Sequence, residues 1–250
     1  MALSILALPA TALADSQVRF LHAVPMVGEA TLSADGEPVG SAGFAEVSDP
    51  VTVASGAAAL VLEAPGGVTL RSNERLADGA SYTIVALAKG KAAELVSFRN
   101  GDAKPGLARL RMIHGAPELG DANIEVDGTV VAEGAGYTDA TRYWGLAPGR
   151  PEVAVLDPAT GQEALARQEI PLAAGTATSA YVVGSAGEAT RVVLVDDATL
   201  APAAPPETGL GGSYSDGGPN WLLALAAALA VGGAAALVRR RLPGPPHRNG

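Results

Sequence analysis

Apolar and β-branched residues fall in short runs along this chain, alternating with polar residues or continuous over a few positions, and each run is bounded by Gly, Pro, Asp or Asn. Val18 to Ala23, Val51 to Val53, Ala58 to Leu62, Tyr82 to Ala88 and Glu94 to Phe98 are the first set. Leu110 to Ile113, Asn123 to Val126, Glu152 to Leu156, Ala180 to Val183 and Arg191 to Val195 are the second. Runs of this length and composition predict β-strands. Asp35-Gly36 and Asp127-Gly128 predict two-residue hairpins, because a type I′ turn needs positive φ at both central residues and Asp-Gly adopts it at low cost. Gly40-Ser41-Ala42-Gly43 and Gly184-Ser185-Ala186-Gly187 read as turns.

The two sets are copies. Val18-Arg19-Phe20-Leu21-His22-Ala23-Val24-Pro25 recurs as Leu110-Arg111-Met112-Ile113-His114-Gly115-Ala116-Pro117, an offset of 92. The offset persists downstream: Asp35-Gly36 aligns with Asp127-Gly128, Phe44 with Tyr137 at 93, and Gly79 with Gly175 at 96. Each copy has about 90 residues, enough to own a core. About seven short strands per copy, with turns every 8 to 12 residues or so, predict an all-β chain of two tandem immunoglobulin-like β-sandwich domains, over residues 15–108 and 109–200. The chain has no cysteine, so the disulfide of true immunoglobulin domains is absent.

The ends read differently. Ala2 to Leu13 is almost wholly apolar, and Ala12-Leu13-Ala14 before Asp15 has the small-residue spacing of a signal-peptidase site, so residues 1–14 read as a signal peptide. No Lys or Arg precedes Arg19, which reads as a Met1 lying inside a longer leader. Residues 201–220 are rich in Pro and Gly, the composition of an extended tether. Trp221 to Val238 is an uncharged run of 18 residues, followed by Arg239-Arg240-Arg241; it predicts one C-terminal transmembrane helix with the basic tail, 239–250, in the cytoplasm.

Charge narrows the partners. There are 26 acidic and 17 basic residues, a net charge of −9, and four of the basic ones follow the last apolar run. Such a chain lacks the basic face that phosphate binding needs, so no nucleic-acid partner is expected. No catalytic residue, cofactor or metal site is assigned. The chain has no Gly-x-Ser-x-Gly elbow and no phosphate loop. His22 and His114, the only histidines of the repeats, offer one imidazole per copy where a metal site needs three or four ligands; they read as strand caps bonded to a turn carbonyl. Asp157 and Asp196-Asp197 lack the spacing of a calcium loop. Tyr137, Tyr143 and Trp144 cluster in sequence and form the one candidate ligand platform, set against strand packing as the plainer reading.

Two resemblances attach to these residues. The opening hydrophobic-Arg-hydrophobic-hydrophobic-His-small-small-Pro, with its Asp-Gly hairpin and Gly-rich turn, resembles the DUF4397 domain, a secreted bacterial β domain often found in tandem and without an assigned activity. Family members commonly carry an acidic residue just after that Pro; Met26 replaces it in the first copy, and Glu118 occupies it in the second. Pro206-Glu207-Thr208-Gly209, followed by an apolar run and an Arg cluster, resembles the LPXTG cell-wall sorting signal of Gram-positive surface proteins, with Pro205 where that family prefers Leu. The resemblance implies a sortase as partner, cleavage between Thr208 and Gly209, and attachment to the cell wall. The expectation is an extracytoplasmic, C-terminally anchored surface protein. Its tandem domains act as a non-enzymatic binding or structural module; the alternative is a wall-associated carbohydrate-binding protein or hydrolase.

Overall fold

A computed structural model describes residues 14–90, 92–185 and 188–200. The first repeat contains β1 (Ser16–Ala23), β2 (Ala30–Ala34), β3 (Glu37–Ala42), β4 (Glu46–Val47), β5 (Val51–Val53), β6 (Gly56–Ala64), β7 (Val68–Leu76), β8 (Ser81–Lys89) and β9 (Ala92–Arg99). The second contains β10 (Ala108–Gly115), β11 (Ala122–Val126), β12 (Thr129–Ala135), β13 (Trp144–Leu146), β14 (Glu152–Leu156), β15 (Glu163–Glu169), β16 (Thr176–Ser185) and β17 (Glu188–Thr199). The described residues are all-β, as their pattern predicts. The apolar run Trp221 to Val238, the sorting-like motif and Ala12 lie outside the described residues; no helix among the described residues is long and apolar enough to cross a membrane.

Each repeat folds into two sheets. The first has an inner sheet in the order β4-β1-β8-β9, with β5 also pairing β1, and an outer sheet β3-β2-β6-β7. The second repeats the plan with β13-β10-β16-β17 inside and β12-β11-β14-β15 outside. In both inner sheets the motif strand runs parallel to its neighbour, β1 along β8 and β10 along β16. Both Asp-Gly hairpins form: Asp35 and Gly36 take φ of 52° and 88°, Asp127 and Gly128 φ of 50° and 73°. Each Asp then caps the sheet, Asp35 accepting from the Ala59 N–H and Asp127 from the Glu152 N–H, both at 2.9 Å.

The small-residue runs read as turns are strand in part, while Gly43 lies beyond β3 and accepts from the Glu46 N–H at 3.0 Å in a turn. Gly40 to Ala42 belong to β3, with Gly40 opposite Leu32, and Gly184 and Ser185 belong to β16. A Cβ on Gly40 would stand 2.5 Å from that of Ser48, so the run is small because another segment crosses it closely.

Alternation along each strand builds three apolar layers. Val18, Phe20, Tyr82, Ile84 and Ala86 of the first inner sheet pack on Leu32, Leu60, Leu62 and Leu76 of its outer sheet. Leu110, Met112, Ala180 and Val182 pack likewise on Ile124, Val126, Val153 and Val155 in the second repeat. The opposite faces of the two inner sheets meet each other: Leu21, Ala23, Val85, Leu87 and Phe98 form one buried cluster with Ile113, Tyr181, Val183 and Val195. The order of layers is therefore outer, inner, inner, outer.

Phe20 is fully buried in the first of these layers. Phe20→Ala should cost about 3–5 kcal/mol by leaving a cavity in this closely packed layer, measured by chemical denaturation of the protein.

Candidate functional site

The two motif histidines end β1 and β10 in the same way. Val24 N–H donates to His22 Nδ1 at 3.2 Å, and His22 Nε2 lies 2.9 Å from the Gly28 carbonyl. Because Nδ1 accepts, Nε2 carries the proton and donates it. Ala116 N–H and the Gly120 carbonyl hold His114 at 3.3 and 2.7 Å. Both ring nitrogens are thus committed to the loop that follows the strand, and neither offers a lone pair to a ligand. The spacing in the motif follows: a histidine two residues before an N–H and six before a carbonyl clamps one tight loop.

The motif arginines point the other way, off the sandwich and toward the other repeat. Arg19 Nη1 and Nη2 donate to the carbonyls of Asp196 and Asp197, at 2.8 and 3.4 Å. Arg111 is nearly fully buried; its Nη1 donates to the Arg99 carbonyl at 2.8 Å, its Nη2 to Asn100 Oδ1 at 3.2 Å and its Nε to Ser179 Oγ at 2.6 Å. The same guanidinium lies 3.9 Å from Asp197 Oδ2, which also accepts from the hydroxyls of Ser179 and Tyr143. Asp197 Oδ1 is buried with no hydrogen-bond partner among the described residues. Burial raises the Asp197 carboxyl above its ordinary value, while the two hydroxyls and Arg111 pull it back. Burial, then the Asp197 charge, raises the Tyr143 phenol too.

The three aromatic residues of the sequence-derived platform do not form one. Tyr143 is clasped between Arg109 and Arg111, each guanidinium carbon 4.7 Å from the ring centre, and its hydroxyl accepts from the Gly101 N–H at 3.0 Å. With a cation stacked on its ring from each of two arginines, its π surface is already used. Tyr137 donates to the Ala88 carbonyl of the first repeat at 2.8 Å and packs beside the inter-repeat cluster. Trp144 sits in β13 opposite Leu110 and packs on the second core. The platform reading fails because the three side chains are committed to different places: Tyr143 to the polar cluster at Gly101 and Asp197, Tyr137 to Ala88 of the first repeat, and Trp144 to the second core. The remaining sequence candidates are apart as well: Asp157 caps its own turn through the N–H groups of Ala159 and Thr160, while Asp196 accepts from Thr178 at 2.9 Å. Signal-site residues Ala14 and Asp15 are exposed and precede β1.

What sequence reading missed is the polar cluster of Arg19, Asn100, Arg109, Arg111, Ser179 and Asp197. The signal for it was available in the arginines at the second position of both motifs, flanked on each side by core residues.

This geometry defines a class: a tandem β-sandwich protein whose repeats share an interface built from its own signature motif. The chain belongs to the DUF4397 family, described as a domain of unknown function, whose model matches residues 16–121 and 108–206. No curated protein matches it. Among solved structures, the chain is similar to CBMbc, a family CBM26 module of Amy13K from Eubacterium rectale solved with maltoheptaose. That likeness has 13% identity over 76% of this chain and 98% of the other, with a TM-score of 0.25, a level that bears no argument about fold or ligand.

Two outcomes follow. Burial lowers the His22 pKa below its ordinary 6.5, so the unfolded chain takes up this proton more readily than the folded one; the histidine's contribution to stability is present above pH 6.5 and lost as pH falls through the depressed folded value. His22→Gln should flatten that part of the pH–stability curve, read by denaturation at stepped pH. Tyr143→Phe should cost about 1–3 kcal/mol, since it strips one partner each from the Gly101 N–H and the buried Asp197, measured in the same way.

Proposed function

We propose that this protein is an exported surface protein whose paired sandwiches, of the immunoglobulin-like kind, serve as a non-enzymatic binding or structural module. The observation that carries this reading is the use already made of its reactive side chains. Both motif imidazoles are bonded at each nitrogen within a loop, and Arg111, Asp197, Ser179 and Tyr143 of the second repeat are bonded to one another, with Arg111 reaching Arg99 and Asn100 and Tyr143 reaching Gly101. These are the parts from which an acid–base or nucleophilic site would be assembled, and here they hold two domains together.

Export and anchoring rest on the chain ends: the apolar leader before Asp15, the Pro/Gly-rich tether, Trp221 to Val238 and Arg239 to Arg241. In this reading the folded repeats stand outside the membrane with the C-terminus in the cytoplasm. Thr208 becomes the acyl group joined to the wall when a sortase acts at Pro206-Glu207-Thr208-Gly209; otherwise the chain stays a single-pass membrane protein.

The test is mass spectrometry of the C-terminal peptide after cells are separated into wall, membrane and medium. A peptide ending at Thr208 and bearing a wall fragment is the expected result for sortase attachment, and an intact peptide through Arg239 in the membrane fraction is the result for simple anchoring. Recovery of the protein in the cytosol with residues 1–14 attached overturns the proposal. In parallel, saturable retention of the intact protein on purified peptidoglycan would favour a wall-carbohydrate module instead.

A further inference from the structure

The contacts between the repeats come in reciprocal pairs. Arg19 lies beside Thr83 in the parallel ladder as Arg111 lies beside Ser179, and Thr83 and Ser179 oppose Phe98 and Val195 on the next strand. Phe98 therefore corresponds to Val195, and Asn100 to Asp197. With that correspondence, each motif arginine donates to main-chain carbonyls at the matching place in the other repeat: Arg19 to those of Asp196 and Asp197, Arg111 to that of Arg99. The aromatic residue after each hairpin behaves alike: Phe44 lies 4.8 Å under the Arg191 guanidinium of the second repeat, and Tyr137 donates to Ala88 of the first. Reciprocity of this kind, i to j and j to i, is the signature of an isologous interface between like subunits.

The side-chain sizes, in contrast, are not mirrored. Val85 and Leu87 in the first repeat correspond to Tyr181 and Val183 in the second, and Ala23 to Gly115. Phe98 meets Tyr181 edge to face at 5.9 Å. A Cβ added to Gly115 would stand 2.7 Å from Leu87 Cδ2 across the interface and 3.1 Å from the Val182 carbonyl oxygen of its own repeat, and Leu87 is fully buried. A second copy of the first repeat, docked in the same way, would bring Ala23 to that point and drive its methyl group into Leu87.

We infer that the inter-repeat face is a docking surface specific for another repeat of this family, with the motif arginine as the positioning contact and Leu87 against Gly115 as the element that makes the first repeat select the second over itself. The partner it fits is a β-sandwich repeat carrying the same Arg-containing motif and a glycine at the end of its first strand.

The experiment uses the full chain with a protease site inserted in the exposed connection between Asp102 and Gly106, cleaved after folding. The halves should stay together at low micromolar concentration as a one-to-one complex. Gly115→Ala should weaken their association by about tenfold or more, and adding Leu87→Val should restore it, because the overlap is relieved from the other repeat. Arg19→Gln, a change at a partly exposed side chain outside either sandwich core, should weaken association of the cleaved halves severalfold, read by dilution of the complex. Separation of the unmodified halves on cleavage overturns the inference of a docking surface. Failure of Leu87→Val to rescue Gly115→Ala overturns the selectivity element, since a defect confined to the second repeat would not respond to a change in the first.

Discussion

The two inner sheets are apolar on both faces, and the rest of the architecture answers to that. A sheet of this kind cannot stand at a surface, so each needs an outer sheet on one side and a partner on the other. β8 shows the constraint most directly: Tyr82 to Ala88 are all buried, odd and even positions alike, because they serve two different interiors. The parallel pairing of β1 with β8 and of β10 with β16 fits the same demand, placing the most apolar strands side by side at the centre of the four layers.

Against this apolar background the polar cluster between the repeats is expensive. Asp197 and Arg111 are out of water, and a buried ion pair commonly gains no more than its desolvation costs. What it provides is position. Hydrophobic contact tolerates sliding by a fraction of a residue, whereas Arg111 must meet the Arg99 carbonyl, Asn100, Ser179 and Asp197 together. Tyr143 closes the cluster toward the connection between the repeats through Gly101. In the first repeat the corresponding dyad is neutral, Thr83 with Asn100 at 3.1 Å, so the charged version is used once, where an arginine is buried beside it.

Much of the fold was legible from the chain. The strands with apolar alternation and both Asp-Gly hairpins were readable because their signals are local. β7 and β15 were not: Ser72 and Glu74 occupy inward-leaning positions in β7, and β15 keeps few apolar residues among its charges, so an edge strand of an outer sheet leaves little periodic trace. The repeat offset carried the histidine clamps, since both nitrogens bond within six residues. The polar cluster escaped because its members are scattered from Arg19 to Asp197 and meet only when two sandwiches dock. Tyr143 and Trp144 misled for a related reason: neighbours in sequence, they serve separate interiors.

The shared face also constrains how such a chain can grow. Each repeat has one inner sheet, and pairing consumes its free side, so a third copy appended to this chain would find no exposed face to dock on. Elongation on this plan proceeds by twos. A protein assembled from these modules would extend as a string of closed pairs, with its bending confined to the joints between pairs, and an odd member would leave an apolar sheet open to solvent.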